Sequence, residues 1–327
     1  MRAMQVREYG DSEVLSMGEA PLPQPGSGEA LVKLSHAGIN FIDIYMRKGV
    51  YRNSHTYQNQ PPFTPGMEGG GVVEAVGDGV ENVQPGDRVA YCLSLGSYAE
   101  YAVVPAWRLA SVPDNVPMPI AVTLMLQGNT AHYLTHSLFS LEAGMTCLVH
   151  AGAGGVGQLL TQIAKLRGAR VISNVGTPEK AEISRKLGAE PILYKEVDFA
   201  ERVREMTDGA GVEVVYDSVG QATFAHSLKC LRRRGTVVLY GGASGAVHSV
   251  EPLALAEAGS VFLTRPHLAD YTASAQEIGW RCDELFSWCL SGALQVTIDR
   301  TFPLAETRAA HDTIEGGLTK GKLILEI

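Results

Sequence analysis

Apolar and polar positions follow one pattern at the start of the chain and another in its middle. Up to about residue 110 the apolar residues come in short, partly alternating runs, such as EALVKLSHAGI, GGGVVEAVG and DRVAYCL. Turns rich in glycine and proline, such as PQPGSG and VGDGV, separate them. This pattern predicts the closely spaced strands of a small barrel or sandwich. The segment FIDIYMRKG interrupts them as a helix, which Gly49 is suited to end.

From Met145 onward, predicted strands and helices alternate. The strands are TCLVHAG, ARVISNV, VEVVYDSV and TVVLYGG, and the helices include GVGQLLTQIAKLRG, TPEKAEISRKLG and ATFAHSLKCLRRRG. Alternation of this length predicts a parallel sheet with helices on both faces. A long helix near residues 273–291, a helix from Ala305 and a closing strand KLILEI follow.

Composition and charge then exclude several classes of protein. The length of 327 residues is enough for two domains, and the net charge of −8 disfavours a nucleic-acid or anionic-membrane partner. No apolar run is long enough to span a bilayer, and the N-terminus lacks a signal-peptide core, so we expect a cytoplasmic protein. Without a CxxC pair, the five cysteines are interpreted as free thiols.

The strongest chemical signal is Gly152-x-Gly154-x-x-Gly157, which lies between a predicted strand and a predicted helix. Glycine permits a tight turn and lets the backbone approach a pyrophosphate, while the helix N-terminus offers free N–H groups. A strand, this turn, a helix and a second strand predict a dinucleotide-binding unit.

The end of the second strand indicates which dinucleotide binds. NAD sites usually carry an acid there, but this chain has Asn174, Val175, Gly176 and Thr177. Thr177 is suited to cap the next helix, Lys180 lies one turn into it, and the third strand brings Tyr194 alongside. The pattern favours NADPH over NADH, although Lys180 taken alone also fits a solvated helix charge.

Seven segments together resemble the zinc-free quinone oxidoreductases of the medium-chain dehydrogenase/reductase superfamily. They are AGINFIDIYMRKGVY, GAGGVG, VGTPEKA, VYDSVG, YGGASGAV, TRPHLADY and KGKLILEI. The resemblance runs almost end to end. It implies an α/β protein with a GroES-like β-rich catalytic domain at residues 1–122 and 266–327 and a Rossmann NADPH-binding domain at residues 123–265.

The same resemblance allows a test for zinc. Zinc-bearing relatives have a cysteine region where this chain has Asn40, a histidine where it has Met67, and a cysteine lobe that has no counterpart here. Asparagine and methionine are poor zinc ligands, so we predict no catalytic metal. The histidines His36, His55 and His132 have no ligand spacing with another candidate.

Carried over residue by residue, the resemblance implies a cofactor site. Asn40 would line the nicotinamide, and the other contacts would come from the glycine turn, the adenosine pocket and four further segments. The implied residues are Asn40, Tyr133, Gly152, Gly154, Gly155, Val156, Gly157, Gly176, Thr177, Lys180, Tyr194, Ser218, Tyr240, Gly241, Gly242, Ala243 and Gly321. Lys320 and Lys322 would belong to a late loop closing over the cofactor. Arg265 would add charge near it or form a structural ion pair.

The implied activity is NADPH-dependent reduction of quinones by hydride transfer from the nicotinamide. A quinone needs no Lewis acid, because the product is a delocalised, aromatic phenolate. Asn40, Tyr45 and Tyr51 are the candidate polar contacts to the quinone, although packing roles for both tyrosines stay open. Three features depart from the family pattern: Gly242 replaces a common Asn, Gln127 a common Lys, and the loop at 52–60 looks long.

Two other functions stay open. One is an NADPH-dependent enone or alkenal double-bond reductase, and the other is a non-catalytic NADPH- or RNA-binding protein, which the acidic balance disfavours. Relatives are commonly dimers that extend the Rossmann sheet through a late strand, here GSVFLTR, which implies a homodimer. The physiological acceptor, and the choice between one- and two-electron reduction, are not predicted.

Overall fold

The computed structural model describes residues 1–57 and 59–327. It divides into two compact units: residues 1–129 with 272–327 form the first, and residues 130–271 form the second. The boundaries predicted from the sequence lie after residues 122 and 265, a few residues before the boundaries between the two units in the structure. The chain therefore leaves the first unit and later returns to it.

Fifteen strands are found among the described residues. They are β1 (Arg2–Val6), β2 (Leu15–Glu19), β3 (Glu29–Ile39), β4 (Glu68–Val76), β5 (Arg88–Cys92), β6 (Tyr101–Pro105), β7 (Ala110–Ser111), β8 (Thr146–His150), β9 (Arg170–Val175), β10 (Glu190–Leu193), β11 (Val212–Asp217), β12 (Leu231–Leu239), β13 (Phe262–Thr264), β14 (Ile298–Pro303) and β15 (Lys322–Glu326).

In the same described residues, ten α-helices and several short helical turns connect the strands. The α-helices are α1 (Phe41–Arg47), α2 (Met118–Thr123), α3 (Asn129–Tyr133), α4 (Gly155–Leu166), α5 (Pro178–Lys186), α6 (Phe199–Met206), α7 (Phe224–Cys230), α8 (Pro252–Glu257), α9 (Ala275–Leu290) and α10 (Thr307–Glu315). Two π-helical turns, Leu124–Gly128 and Leu134–Leu138, flank α3. No helix in the described part of the chain is long and apolar enough to cross a membrane.

The first unit is built on a seven-stranded sheet in the order β14-β15-β3-β4-β5-β7, with β6 also paired to β3. All its pairs are antiparallel except β14 with β15. Its apolar side chains collect in two clusters, one around Ile39, Ile44 and Leu323 and one around Val32, Val73 and Val89. Burial of these side chains is the main force holding the unit together.

The second unit contains a six-stranded parallel sheet in the order β10-β9-β8-β11-β12-β13. Its central strands are buried on both faces, as parallel strands covered by helices usually are. The carboxyl ends of β8, β9 and β11 meet at one edge, where open α/β sheets bind their ligands. The prediction of an α/β fold with a β-rich domain and a parallel-sheet domain is confirmed.

One predicted helix is too long. ATFAHSLKCLRRRG is interpreted above as helical throughout, but α7 ends at Cys230 and Leu231 already pairs with Val212 in the sheet. Arg204 donates hydrogen bonds to the carbonyls of Lys229 and Leu231, at 2.8 Å each. These contacts outside the local sequence favour a strand start over another helical turn.

Candidate active site

The glycine turn after β8 is shaped by close packing. Ala151 adopts a left-handed φ of 52°, and Gly154 is the N-cap of α4 with no side chain to occupy its amide groups. A Cβ on Gly152 would lie 2.6 Å from the Cβ of Ser173, and one on Gly157 would meet the carbonyl oxygen of Ala151. The turn therefore requires glycine and leaves the first amides of α4 without a side-chain cap, which fits a pyrophosphate.

The predicted adenosine pocket comes together after β9. A Cβ on Gly176 would lie 2.9 Å from the Tyr194 hydroxyl, so that ring packs directly against this glycine. Thr177 caps α5, with its Oγ1 accepting a hydrogen bond from the Lys180 amide at 3.3 Å. Gly176, Thr177, Lys180 and Tyr194 thus form one cluster, with Tyr194 49% exposed. The arrangement fits a 2′-phosphate.

The loop after β11 is held by a buried carboxylate that sequence reasoning missed. Asp217 accepts hydrogen bonds from the amides of Val219 and Gly220, at 2.9 and 3.0 Å, and from Ser227 Oγ at 2.9 Å. His150 Nε2 lies 2.9 Å from the same hydroxyl. The available signal was a polar residue at or next to the end of three strands: His150 in β8, Asn174 in β9 and Asp217 in β11.

Residues predicted along these loops are close to one another. A Cβ on Gly241 would lie 2.9 Å from Ser218 Cα, so the two loops pack tightly. Burial raises the pKa of Tyr240, and a hydrogen bond between the Tyr240 side chain and Ser218 partly offsets that rise. Tyr133 stacks on Tyr271, with ring centroids 4.3 Å apart. Arg265 donates to the carbonyls of Tyr240 and Pro266, at 3.2 and 3.0 Å.

A buried ionic network occupies the first unit. The Lys322 ammonium forms an ion pair with Glu68, and both side chains are fully buried. Lys322 Nζ also lies 2.8 Å from Asn40 Oδ1, while Asn40 Nδ2 donates to Glu68 at 2.9 Å. Three residues distant in sequence therefore converge, because β15, β3 and β4 are neighbours in the sheet.

The Glu68 carboxylate uses both of its oxygens inside the protein. Oε1 accepts from the Leu126 amide at 2.6 Å, and Oε2 accepts from Asn40 and Lys322. Burial raises the pKa of Glu68, and the Lys322 charge is the largest effect lowering it again. A buried carboxylate without that ammonium would be costly, so the pair acts as one unit.

A second buried carboxylate fixes the start of α1. Asp43 completes a capping box with Asn40, accepting from its amide at 2.8 Å. It also accepts from the Met67 amide and the Tyr98 hydroxyl, both at 3.0 Å. Burial raises the pKa of Asp43 to about 7 despite these hydrogen bonds.

Tyr98 connects this carboxylate to a further buried group. His311 Nε2 lies 3.3 Å from the Tyr98 hydroxyl, and its Nδ1 lies 3.0 Å from Arg47. Burial, with the nearby Arg47 charge, lowers the pKa of His311 to about 3, so the ring is neutral. Arg47 in turn pairs with Glu315 at 2.6 Å.

The predicted substrate residues fall into two environments. Asn40 is 3% exposed, and its amide is engaged in the buried network. Tyr45 and Tyr51 are half-buried and meet edge to face at 5.9 Å between centroids, and Tyr51 lies 5.2 Å from the Tyr57 ring. The three rings form an aromatic row. Within the 52–60 loop, Gln58 lies outside the described residues.

The late residues differ from their expected place in a closing loop. Lys322 is the first residue of β15 and points into the core. Gly321 has a φ of 152°, and a Cβ there would lie 2.5 Å from the Thr297 carbonyl oxygen, so close packing already requires glycine. The prediction that Lys322 closes over the cofactor is therefore wrong, since its ammonium is buried against Glu68.

Comparisons with known proteins bear on both units. The family model described as alcohol dehydrogenase GroES-like domain matches residues 26–114, and the model described as zinc-binding dehydrogenase matches residues 155–274. The chain is 39% identical over 326 residues to the quinone oxidoreductase of Pseudomonas aeruginosa, with 99% of each chain covered.

Two further relatives are informative. The crystal structure of Escherichia coli quinone oxidoreductase complexed with NADPH matches with a TM-score of 0.96 at 37% identity, covering all of both chains. A 2-haloacrylate reductase from Burkholderia sp is 39% identical, with 98% of this chain and 97% of that protein covered.

Proposed function

Because the chain belongs to the quinone oxidoreductase family of the medium-chain dehydrogenase/reductase superfamily, we propose that it reduces quinones with NADPH. The observation that carries this function is full-length similarity to quinone oxidoreductases, including one solved with NADPH. The glycine turn and the cluster around Tyr194 agree with that cofactor.

NADPH would be held by the second unit through backbone amides and a phosphate pocket. The first amides of α4 would bind the pyrophosphate, and Thr177, Lys180 and Tyr194 the 2′-phosphate. When bound, NADPH supplies a hydride from the nicotinamide C4, which with one proton converts a quinone to a hydroquinone. Asp217 keeps the loop at Ser218 in place through its two amide contacts.

Asn40, Tyr45 and Tyr51 remain the proposed residues near the quinone. The Lys322 and Glu68 contacts hold the Asn40 amide in one orientation. The aromatic row offers apolar ring surface, on which a flat quinone can stack, and phenol groups that can donate hydrogen bonds to its oxygens.

We also propose that catalysis needs no zinc. Asn40 and Met67 replace thiolate and imidazole at positions where metal-bearing relatives bind zinc, and the Glu68 oxygens already accept from Lys322, Asn40 and Leu126. A metal at Glu68 would have to displace a buried ammonium. Near-stoichiometric zinc in protein purified without chelators, with loss of activity on its removal, would contradict this.

Steady-state oxidation of NADPH tests the function directly. We expect higher kcat/KM with 1,4-benzoquinone and 9,10-phenanthrenequinone than with a short enone, and higher kcat/KM with NADPH than with NADH. A preference for the enone would reject quinone reduction in favour of double-bond reduction. The 2-haloacrylate reductase relative is the observation that keeps this second candidate open.

A homodimer through β13 is a further proposal. This strand lies at the edge of the six-stranded sheet, and Phe262 on it is 62% exposed. Pairing two such edges would cover open backbone groups and the phenylalanine. Sedimentation velocity of the wild type and of Phe262→Arg should give a dimer and a monomer, respectively, whereas a monomeric wild type would contradict the proposal.

The location we propose is the cytoplasm. All five cysteines are free, and four of them are buried, which suits a reducing compartment. Fractionation of cells expressing the full chain should recover it with cytoplasmic markers, and recovery with an exported fraction would reject this location.

A further inference from the structure

Beside the Asn40 network, Gln127 has a buried carbonyl oxygen with no hydrogen-bond partner among the described residues. Gln127 is 7% exposed and belongs to the π-helical turn Leu124–Gly128, a type of turn frequent at functional sites. Its Oε1 accepts no hydrogen bond within the described part of the chain. An unpaired buried polar atom costs about 1–3 kcal/mol, and a ligand that supplied a donor would remove that cost.

The hydrogen bonds around Asn40 determine which atom of the Gln127 side-chain amide has no hydrogen-bond partner. An ammonium has only donors, so the Asn40 atom 2.8 Å from Lys322 Nζ must be the carbonyl oxygen. That same oxygen, Oδ1, is approached by the Gln127 amide at 3.4 Å. Two carbonyl oxygens would repel, so Gln127 directs its NH₂ group there. The free end is therefore Oε1, an acceptor.

The Gln127 backbone is held in place independently of its side chain. The preceding residue, Leu126, donates its amide hydrogen to Glu68 Oε1 at 2.6 Å. Asn129, the residue directly after the turn, donates from its Nδ2 to the Leu124 and Met125 carbonyls, at 3.3 and 2.7 Å. The unpaired oxygen is thus presented by a fixed piece of backbone.

We propose that Gln127 Oε1 binds a hydrogen-bond donor on the electron acceptor, so the enzyme favours quinones with a neutral N–H or O–H group on the ring. A carbonyl oxygen would repel an ionised hydroxyl group, which is why the donor must be neutral. This inference rests on the proposed function, because it assumes that the acceptor is a quinone.

A matched pair of substrates tests the inference. 2-Amino-1,4-naphthoquinone and 2-methyl-1,4-naphthoquinone have nearly the same shape, but only the amine carries a donor. Gln127→Met keeps an unbranched side chain and removes the acceptor. We expect the ratio of kcat/KM for amine over methyl to fall about five- to ten-fold in Gln127→Met relative to wild type. Comparing ratios cancels the different redox potentials of the two quinones.

Two further variants control for disturbance of the turn. Gln127→Lys replaces the acceptor with a donor and should lower the ratio at least as far as Gln127→Met. Asn129→Leu alters the same turn but not the free Gln127 oxygen, so its ratio should stay within about two-fold of wild type. An unchanged ratio in both Gln127 variants, or an equal fall in Asn129→Leu, would overturn the inference.

Binding measured without turnover separates this inference from the function itself. Isothermal titration calorimetry of each quinone into the enzyme saturated with NADP⁺ gives its dissociation constant. The affinity for the amine divided by the affinity for the methyl quinone is then the binding ratio that corresponds to the kcat/KM ratio. If no quinone is turned over but the binding ratio still falls five- to ten-fold in Gln127→Met, the proposed function fails and the donor site stands. If the methyl quinone is turned over and neither ratio changes, the donor site fails and the function stands.

Discussion

The candidate site of the second unit consists mainly of backbone groups, whereas that of the first unit consists of buried side chains. In the second unit the site consists of backbone amides at the glycine turn and at the start of α4. Glycine is needed at positions 152 and 157 because a Cβ there would collide with neighbouring atoms. In the first unit the side chains of Asn40, Glu68 and Lys322 satisfy one another in the core. A backbone site tolerates many side-chain changes nearby, whereas a buried ionic site depends on each partner.

Breaking the buried ion pair should have the largest effect. Lys322→Met leaves the Glu68 carboxylate buried with its charge uncompensated, so the free energy of unfolding should fall by about 3–5 kcal/mol. Urea denaturation followed by tryptophan fluorescence measures this. Arg170→Met is the matched control, since Arg170 pairs with Glu190 at 2.7 Å on the surface and should cost less than about 1 kcal/mol.

A double variant sharpens the same point. If the cost arises from the uncompensated charge, Lys322→Met combined with Glu68→Gln should recover more than half of the lost stability. Additive losses from the two substitutions would show that packing, not charge, dominates at this pair.

The second-largest effect should be a pH dependence of the free energy of unfolding that arises from Asp43. Its folded-state pKa of about 7 exceeds the unfolded value, so the unfolded chain releases this proton first as pH rises. The stability contributed by this group is therefore present below about pH 4 and lost as pH rises through 7. Between pH 5 and 7 the loss should be about 2 kcal/mol.

Comparison with Asp43→Asn isolates that contribution. His311 has its pKa lowered to about 3 and acts in the opposite direction, gaining stability as pH rises toward 6.5. Subtracting the urea-denaturation profile of Asp43→Asn from that of the wild type removes this background. A difference that stays constant from pH 5 to pH 7 would exclude a raised Asp43 pKa.

A smaller effect should follow from Lys180 in the second unit. Lys180→Ala removes a charge from the proposed 2′-phosphate pocket, so the KM for NADPH should rise about ten-fold while the KM for NADH changes little. Lys186→Ala lies on the same helix, α5, and serves as the control for general charge loss. An equal rise for both cofactors would place Lys180 outside the phosphate pocket.

The same difference between the units explains what the sequence could predict. The glycine turn, Thr177 and Lys180 lie close together in the chain, and each has a local physical reason, so a local pattern was enough to predict a cofactor site there. Lys322 and Glu68 meet only because β15 and β4 both pair with β3. No local pattern shows that a lysine near the end of the chain is buried, and family resemblance placed it in a closing loop instead.

The helix error has the same origin. No residue of LKCLRRR before Gly235 ends a helix, yet Arg204 contacts the carbonyls of Lys229 and Leu231, and Val212 pairs with Leu231. Such contacts overrule helix propensity, which is a weak preference. The unpaired oxygen of Gln127 was equally hidden, because it emerges only once the orientations of Lys322 and Asn40 are known.

The most direct test of the central claim joins metal content with turnover in a single sample. Protein treated with a strong chelator, and shown by elemental analysis to contain no zinc, is assayed for NADPH oxidation with 1,4-benzoquinone. We predict the same kcat/KM as for untreated protein, with one hydroquinone formed for each NADPH oxidised. Loss of activity that returns when zinc is added would contradict metal-free quinone reduction on the Asn40, Glu68 and Lys322 framework.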